Sequence, residues 1–473
     1  GWWHYEQTGY YADGVTRLGF VLGDSLLMNR SREIMEAVVA RQRPDGYILS
    51  NNKNYAENWG KADGDYGMYW SEAVFCRAAL AYYSATGDES VLKMLENVYD
   101  EFPIFDRPSH EKRLSGCEME QMRRIVGLEN MLEISRYSGD SQFVERAIKV
   151  YENYESGYLD SWVRDKAFMR TAICHGVSYN ESAKLCAAAY IWNANPDYLA
   201  ASVNAYEFLQ EHFVLPLGAN SSNEYLHGIG AFEAAEACDI SDFLWSNVWM
   251  ARATGDAKYG DRIEKDFFNA LPTAVSSYFD LSVYTTAMNR IPGVHLKIRD
   301  DGQYYKVIHD PTCCSANINR VLPNYVINMC MHNQENELMW LLYAPANLKT
   351  RDGKYDIEMQ TEYPFRESIK LTVNAMPEGE KLLLRVPDWC KNATCSVNGK
   401  MMNVVPVNGS VLSFTVRFNF ALHYLHDFSF SVFKLFCIYD NRECLCYGFI
   451  KCAVAQIIFT LTQCYHSSVC SFA

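Results

Sequence analysis

The chain has 473 residues and a mass of 54.2 kDa, more than one hydrophobic core usually serves, so two or more domains are expected. With 49% apolar and 21% charged residues it has the composition of a folded globular protein and not of a disordered one. A formal net charge of -14, a sequence pI near 5.3 and the lack of a long basic stripe argue against a nucleic-acid partner.

Aromatic residues reach 14%, with 32 Tyr and 10 Trp, a supply that suits sugar stacking and helix-packed cores equally, so function has to be read from other residues. The 16 cysteines form no short regular framework of pairs and do not establish an oxidising compartment. The chain opens Gly1-Trp2-Trp3-His4-Tyr5, without an initiating Met or a basic-then-apolar signal segment. A missing N-terminal part is the expectation, and cytoplasmic and secreted locations both stay open.

Residues 1 to about 270 read as a succession of helices. In 31–41 the apolar Ile34, Met35, Val38 and Val39 are spaced for one helical face. Further helices are expected at 70–84, 89–101, 120–136, 142–153, 182–191, 197–210, 231–254 and 260–270. Several are parted by breaks of one kind: Ala85-Thr86-Gly87-Asp88, Tyr137-Ser138-Gly139-Asp140 and Ala253-Thr254-Gly255-Asp256. Glycine closing one helix and aspartate opening the next is helix-hairpin punctuation, and repeated hairpins over this length suggest a toroid whose hollow end provides a pocket.

The pattern turns mixed from about 271 to 335, with loop or short strand near 276–284 and helix on either side of a break at Pro323. From 336 onward 337–345, 369–374, 381–387 and 394–398 read as strands separated by polar turns. The expected domains are therefore 1–335, helical and N-terminally truncated; 336–418, a partial β-sandwich; and 419–473, an aberrant tail carrying Cys437, Cys444, Cys446, Cys452, Cys464 and Cys470. The apolar run 453–461 within that tail is too short and too interrupted for a membrane span.

Two distant fragments carry the chemistry. Pro311-Thr312-Cys313-Cys314 and Glu236-Ala237-Cys238-Asp239 offer one carboxylate and three thiols, a set that would suit a four-coordinate Zn2+ if the fold unites them. The alternative is a group of buried structural thiols acting as small hydrophobes. Zinc would hold a thiol as thiolate, at once ligand and potential nucleophile. A helix running unbroken through 236–238 would weaken the idea, because residues two apart diverge on a helix.

Glu224, in the polar break Ser221-Ser222-Asn223-Glu224-Tyr225, could give a proton to a glycosidic oxygen and take it back from water, or be only a helix-terminal charge. His175 and His227 sit beside glycines and suit hydroxyl recognition as well as plain structural roles. Glu264 could accept from sugar hydroxyls, its default being a solvent-facing helix carboxylate. Tyr284 and Asn289 could line the same pocket or merely close a hydrogen-bond network.

Taken in order, His175-Gly176, Asn223-Glu224, Glu236-Ala237-Cys238-Asp239, Tyr259-Gly260-Asp261-Arg262-Ile263-Glu264, Asn269-Ala270 and Thr312-Cys313-Cys314 resemble the β-L-arabinofuranosidase family, glycoside hydrolase family 127. Leu384-Arg385-Val386-Pro387-Asp388-Trp389 and Val397-Asn398-Gly399 resemble its β-sandwich portion, so the likeness spans about residues 1–418. The resemblance implies a mainly α fold, an (α/α)6 barrel followed by a truncated β-sandwich. It also implies a retaining exo-glycosidase acting on an oligosaccharide or glycan, with Zn2+ on Glu236, Cys238, Cys313 and Cys314. In that likeness Cys313 falls on the nucleophile, with its neighbour Cys314 a close second, Glu224 on the acid/base, and Glu264, Tyr284 and His175 on sugar contacts.

The Glu224 to Glu236 interval is shorter than in the arabinofuranosidases, Asn223-Glu224 replaces their glycine-glutamate pair, and they carry a sugar-binding histidine near Ser71 where this chain has none. These departures bear on the sugar more than on the metal. Two rivals stand beside this reading. One is a carbohydrate-binding or structural relative without turnover. The other is a polysaccharide lyase, in which Cys313-Cys314 would have no purpose.

Overall fold

The structure, a computed structural model, describes residues 3–48, 57, 59–61, 66–105, 123–155, 175–289, 303–307, 309, 313–333, 335, 337–366, 368–390, 393–402, 409, 411–415 and 426–431. The chain divides into two compact units. One comprises Gly1–Ala253, Lys265–Ser276 and Asp280–Asn324; the other comprises Thr254–Glu264, Ser277–Phe279 and Tyr325–Ala473. The fold is mostly helical with a separate β-strand region.

Helices run in order α1 Trp3–Leu22, α2 Ser25–Val39, α3 Tyr66–Thr86, α4 Glu89–Tyr99, α5 Leu128–Ser138, α6 Gln142–Glu155, α7 Gly176–Ala183, α8 Leu185–Asn193, α9 Pro196–His212 and α10 Ala237–Thr254. They continue with α11 Ala257–Lys265, α12 Leu271–Ala274, α13 Cys313–Asn317 and α14 Val321–Ile327. The expected punctuation is present: Gly87, Gly139 and Gly255 have φ of +70°, +74° and +66°. Behind each glycine an aspartate side chain accepts a backbone N–H of the next helix, Asp88 from Ser90 at 3.0 Å, Asp140 from Gln142 at 2.9 Å and Asp256 from Lys258 at 2.9 Å. Only glycine takes that left-handed turn without steric cost, and the aspartate satisfies a donor the helix cannot.

Several expected boundaries move. The helix over 231–254 begins only at Ala237, because Ala234–Glu236 is a strand, β3, paired with β4 Thr285–Ala287. The helix over 260–270 changes to a π turn at Asp266–Ala270. In the helix over 120–136, residues 123–127 are turns. The break expected at Pro323 falls earlier, as the 3-10 turn Ile318–Arg320; Pro323 itself sits in the first turn of α14, where its missing N–H costs nothing.

In the first unit α10 is buried on all sides from Ala237 to Ala251, as expected of a central helix. Its polar residues, like those of its neighbours, therefore need partners. Arg77 on α3 pairs with Glu129 on α5 and with Glu181 on α7, and Lys184 joins Glu129 at 3.2 Å, a buried ion cluster pinning three helices.

The second unit holds a four-stranded sheet, ordered β13-β10-β6-β5, and a six-stranded sheet, ordered β12-β11-β14-β9-β8-β7. These strands are β5 Cys330–His332, β6 Glu337–Trp340, β7 Ala346–Lys349, β8 Asp356–Thr361, β9 Ser368–Ala375, β10 Lys381–Arg385, β11 Thr394–Val397, β12 Lys400–Met401, β13 Val411–Thr415 and β14 His426–Ser431. Alternation along β9 buries Ile369, Leu371 and Val373 and leaves the residues between them more exposed. One strand lies past the expected sandwich limit at 418: β14 runs between β9 and β11 in a continuous antiparallel register. The six tail cysteines from Cys437 to Cys470 lie outside the described residues.

Glu264, on α11, belongs to this second unit and is buried, not solvent-facing as a helix carboxylate would be by default. Arg385 forms ion pairs with Glu264 and Asp261, Tyr363 donates to Glu264 at 2.5 Å, and the Tyr343 amide donates to it at 3.2 Å. Gly260 makes room, since a Cβ there would stand 2.6 Å from Arg385 Cδ. Replacing Arg385 with methionine leaves the buried Glu264 and the half-buried Asp261 without their cation, and a loss of about 3–5 kcal/mol is expected, read from the denaturant midpoint. A loss under about 1 kcal/mol would mean that the cluster is not what holds the unit.

Candidate metal and catalytic site

Four donors converge within the first unit. Glu236 is the last residue of β3, paired with Thr285, and the next amide, of Ala237, donates to the Tyr284 carbonyl at 2.9 Å as α10 begins. The strand-to-helix change falls between Glu236 and Cys238, so the divergence an unbroken helix would impose does not arise. Cys313 and Cys314 open α13. One ligand atom from each of Glu236, Cys238, Cys313 and Cys314 lies within 4.8 Å of every other, and all four residues are buried.

Cys314 Sγ donates to Glu236 Oε1 at 3.5 Å and Cys313 Sγ lies 3.9 Å from Cys314 Sγ. Glu236 Oε2 is buried without a protein partner. Burial pushes Glu236, Cys238 and Cys314 up from their ordinary pKa values. Cys313 goes the other way: hydrogen bonding with Cys238 and Cys314, then with Tyr284, holds it well below the usual thiol value. Donors about 2.3 Å from a tetrahedral metal stand roughly 3.8 Å apart, close to the spacings here, and a bound cation would satisfy the orphaned oxygen. The cluster is compatible with a metal-binding site.

Beside it stand His175, Glu224 and Tyr284. Glu224 is the turn between β1 Ser222–Asn223 and β2 Tyr225–Leu226, with φ of +73°, a left-handed conformation that costs a non-glycine residue of order 1 kcal/mol. The Gly176 amide donates to the Glu224 carbonyl at 2.9 Å and helps to hold that turn. His175 caps α7, its Nδ1 accepting the Ser178 amide at 3.2 Å. The ring proton therefore sits on Nε2, which donates to Glu224 Oε2 at 3.3 Å. Burial, aided by the Arg123 charge and opposed by Glu224, lowers the His175 pKa, so the imidazole is neutral.

Tyr284 donates to Glu224 Oε1 and stands 3.6 Å from Cys313 Sγ. Burial, then the Glu236 charge, drives its pKa up, so the hydroxyl keeps its proton. A single phenol thus touches both the carboxylate and the low-pKa thiol. Gly176 is required by close packing: a Cβ there would meet Asp239 Oδ2 at 2.5 Å and Ser222 Oγ at 2.8 Å.

The structure brings His175, Glu224, Tyr284, Glu236, Cys238, Cys313 and Cys314 together. His227 is exposed, and its backbone closes the hairpin with an amide donating to the Ser221 carbonyl at 3.4 Å. Asn289 is exposed and its amide donates to the Ala231 carbonyl at 2.8 Å, the network role weighed for it above. Glu264 has its partners in the second unit. His309 is buried against the Ser282 carbonyl at 2.8 Å, while Asp310, Pro311 and Thr312 lie outside the described residues.

Two charged residues escaped the sequence reading. Glu6 on α1 is buried, and burial followed by the Cys313 charge pushes its pKa up to about 8. Arg123 donates through Nε to Ser178 Oγ at 3.0 Å and lays its guanidinium 4.8 Å from the Trp70 ring centre. Neither is in a motif, so only the folded arrangement singles them out.

The family model described as β-L-arabinofuranosidase, GH127 catalytic domain, matches residues 3–326, and the GH127 middle domain matches residues 337–419. The chain belongs to the GH127 β-L-arabinofuranosidase family. Three solved structures share the fold of this glycoside hydrolase. A GH127 β-L-arabinofuranosidase from Geobacillus stearothermophilus T6 is 16% identical, with a TM-score of 0.73 over 91% of this chain and 72% of that one. A protein described as a glycoside hydrolase is 17% identical, with a TM-score of 0.70 over 91% and 73% of the two chains. A GH127 β-arabinofuranosidase is 17% identical, with a TM-score of 0.67 over 90% and 70%. The sequence has no match among curated proteins. Family membership makes this hydrolase an enzyme with a glycan or oligosaccharide substrate. Among its described residues no helix is long and apolar enough to cross a membrane.

Proposed function

We propose that this GH127 hydrolase is a retaining exo-glycosidase that releases β-L-arabinofuranose or a related uncommon sugar from glycans. Zn2+ would be held by Glu236, Cys238, Cys313 and Cys314, in a catalytic domain over 1–335 read as an (α/α)6 barrel and followed by a β-sandwich over 336–418. The observation that carries the reading is the contact of one phenol, Tyr284, with both Glu224 and the Cys313 thiol.

In this mechanism the Cys313 sulfur attacks the anomeric carbon as the bond to the leaving oxygen breaks, and Glu224 gives that oxygen its proton. Water then attacks the same carbon, the carbon–sulfur bond breaks, Glu224 takes the water's proton and Cys313 returns to thiolate, so configuration is retained overall. A metal held by Glu236, Cys238, Cys313 and Cys314 would supply charge that keeps the thiols ionised and in place. Tyr284 serves both protonation states of Glu224, because a hydroxyl donates to a carboxylate and accepts from a carboxylic acid. Neutral His175 orients Glu224 and offers its Nε2–H beside the reacting group. Cys313 is favoured over Cys314 as nucleophile, since Cys313 faces Tyr284 while Cys314 is turned to Glu236.

The purified hydrolase is expected to hold one zinc per chain and to release sugar from an aryl β-L-arabinofuranoside with retention, followed by proton NMR. Cys238→Ala should lose the zinc, and metal content measured by mass spectrometry checks it. An inverted first product, or turnover undiminished after complete zinc removal, would refute the reading.

A further inference from the structure

The two segments that carry the thiols are far apart in sequence, and each has a polar residue four positions beyond its ligand. Cys238 and Asp242 share a face of α10, and Cys313 and Asn317 share a face of α13, because residues four apart on a helix stack one turn above the other. One turn from the sulfurs these second residues meet. Asn317 Nδ2 donates to Asp242 Oδ2 at 2.8 Å, and Ser241 Oγ donates to the Asn317 carbonyl at 3.2 Å.

Arg320, in the 3-10 turn that follows α13, closes the arrangement. Its Nε donates to Asn317 Oδ1 at 2.8 Å and its Nη2 to Asp242 Oδ1 at 2.7 Å. Its guanidinium lies 4.5 Å from the ring centre of Tyr10 and 3.8 Å from Asp13 Oδ2, both on α1. Asp242, Asn317 and Arg320 are all buried, so solvent does not weaken these contacts. Packing alone would let two helices slide by fractions of an ångström, whereas a guanidinium, an amide and a carboxylate joined in one ring have a single satisfied arrangement. α13 is only five residues long and makes few bonds of its own, so it depends on that ring.

We propose that Asp242, Asn317 and Arg320 are positioning residues: a buried ring that sets the register of α13 on α10 and so the spacing of Cys313 and Cys314 from Cys238 and Glu236. The inference rests on the metal-site reading above. Its consequence is specific. Breaking the ring should spoil the donor cluster before it unfolds the chain, and exchanging its polarity should restore the cluster. In the double variant Asp242→Asn with Asn317→Asp, the new amide donates to the new carboxylate, and Arg320 still finds an acceptor oxygen on each.

The test loads zinc-free protein with Co2+ alone, whose sulfur-to-metal absorption reports thiolate ligation, and follows the melting transition in parallel. Asn317→Ala is expected to keep its melting transition while Co2+ affinity falls about tenfold or more, and the exchange variant should recover to within about threefold of the parent. Wild-type affinity in Asn317→Ala overturns the proposal, as does a folded exchange variant that regains none of the lost affinity. If Asn317→Ala does not fold, the exchange variant decides: recovery of fold and Co2+ spectrum supports the ring, and failure to recover them overturns it.

Should the parent itself give no thiolate spectrum, the metal-site reading fails separately. The ring is then judged on metal-free protein by bridging Cys238 to Cys313 or Cys314 with dibromobimane, mapped by mass spectrometry. Bridging lost in Asn317→Ala and regained in the exchange variant supports it; bridging unchanged in Asn317→Ala overturns it.

Discussion

Cys313→Ser is expected to remove glycoside turnover, by about 10⁴-fold or more in kcat, while the protein stays folded. Every contact that lowers the Cys313 pKa acts on an ionisable sulfur: hydrogen bonding with the Cys238 and Cys314 thiols, then with the Tyr284 hydroxyl. A serine hydroxyl in the same place stays protonated and is a poor nucleophile. Because the substitution also removes a proposed metal ligand, Cys314→Ser is the comparison. That variant should lose metal affinity but, when metal is supplied in excess, keep a measurable part of its turnover. With a slowly hydrolysed substrate, the parent should accumulate a sugar adduct on Cys313, detected by peptide mass. Wild-type-like turnover in Cys313→Ser would exclude the covalent step.

Glu224→Gln is expected to lower kcat on a glycan substrate by about 10²–10⁴-fold. The loss should depend on the leaving group. An aryl glycoside with an acidic phenol leaves without a proton, so its first step survives, and a rapid burst of phenol should precede a slow steady state limited by release of the sugar from Cys313. The glutamine amide also keeps the hydrogen bond from Tyr284, which limits structural damage as the cause. The same loss on both substrates, without a burst, would mean that Glu224 positions the sugar and does not move a proton.

These two variants probe opposite ends of one contact chain, Glu224 to Tyr284 to Cys313, and the backbone explains why the chain holds. Glu224 is kept in a left-handed turn by the Gly176 amide, Tyr284 immediately precedes β4, whose partner β3 ends at Glu236, and α13 starts at Cys313. These side chains therefore sit on element ends, where a side chain can leave the regular pattern of its element and point at a common centre.

Much of the fold was legible in the amino-acid order. The glycine and aspartate pairs at 87–88, 139–140 and 255–256 marked helix hairpins because a left-handed turn and an N-cap are decided by the residues that make them. The candidate donor set, one carboxylate and three thiols, was legible too, as residue types whose combination would suit a metal. The strand Ala234–Glu236 was not. Its residues fit a helix, and only pairing with Thr285–Ala287 makes them extended, so long-range hydrogen bonds overrode local preference. Glu264 had the offset of a sugar contact, yet its burial and its Arg385 partner depend on a residue 121 positions later, beyond the reach of any local pattern.

By itself, then, the sequence determined which groups were available and where helices turn, since both depend on neighbours along the chain. The tertiary structure alone decided which groups meet: that Tyr284 bridges Glu224 and Cys313, that Arg123 reaches Ser178, and that Asn317 locks to Asp242. Convergence of this kind is set by how distant helices pack and by the need of each buried polar atom for a partner, and neither condition is written in the residues flanking any one of them.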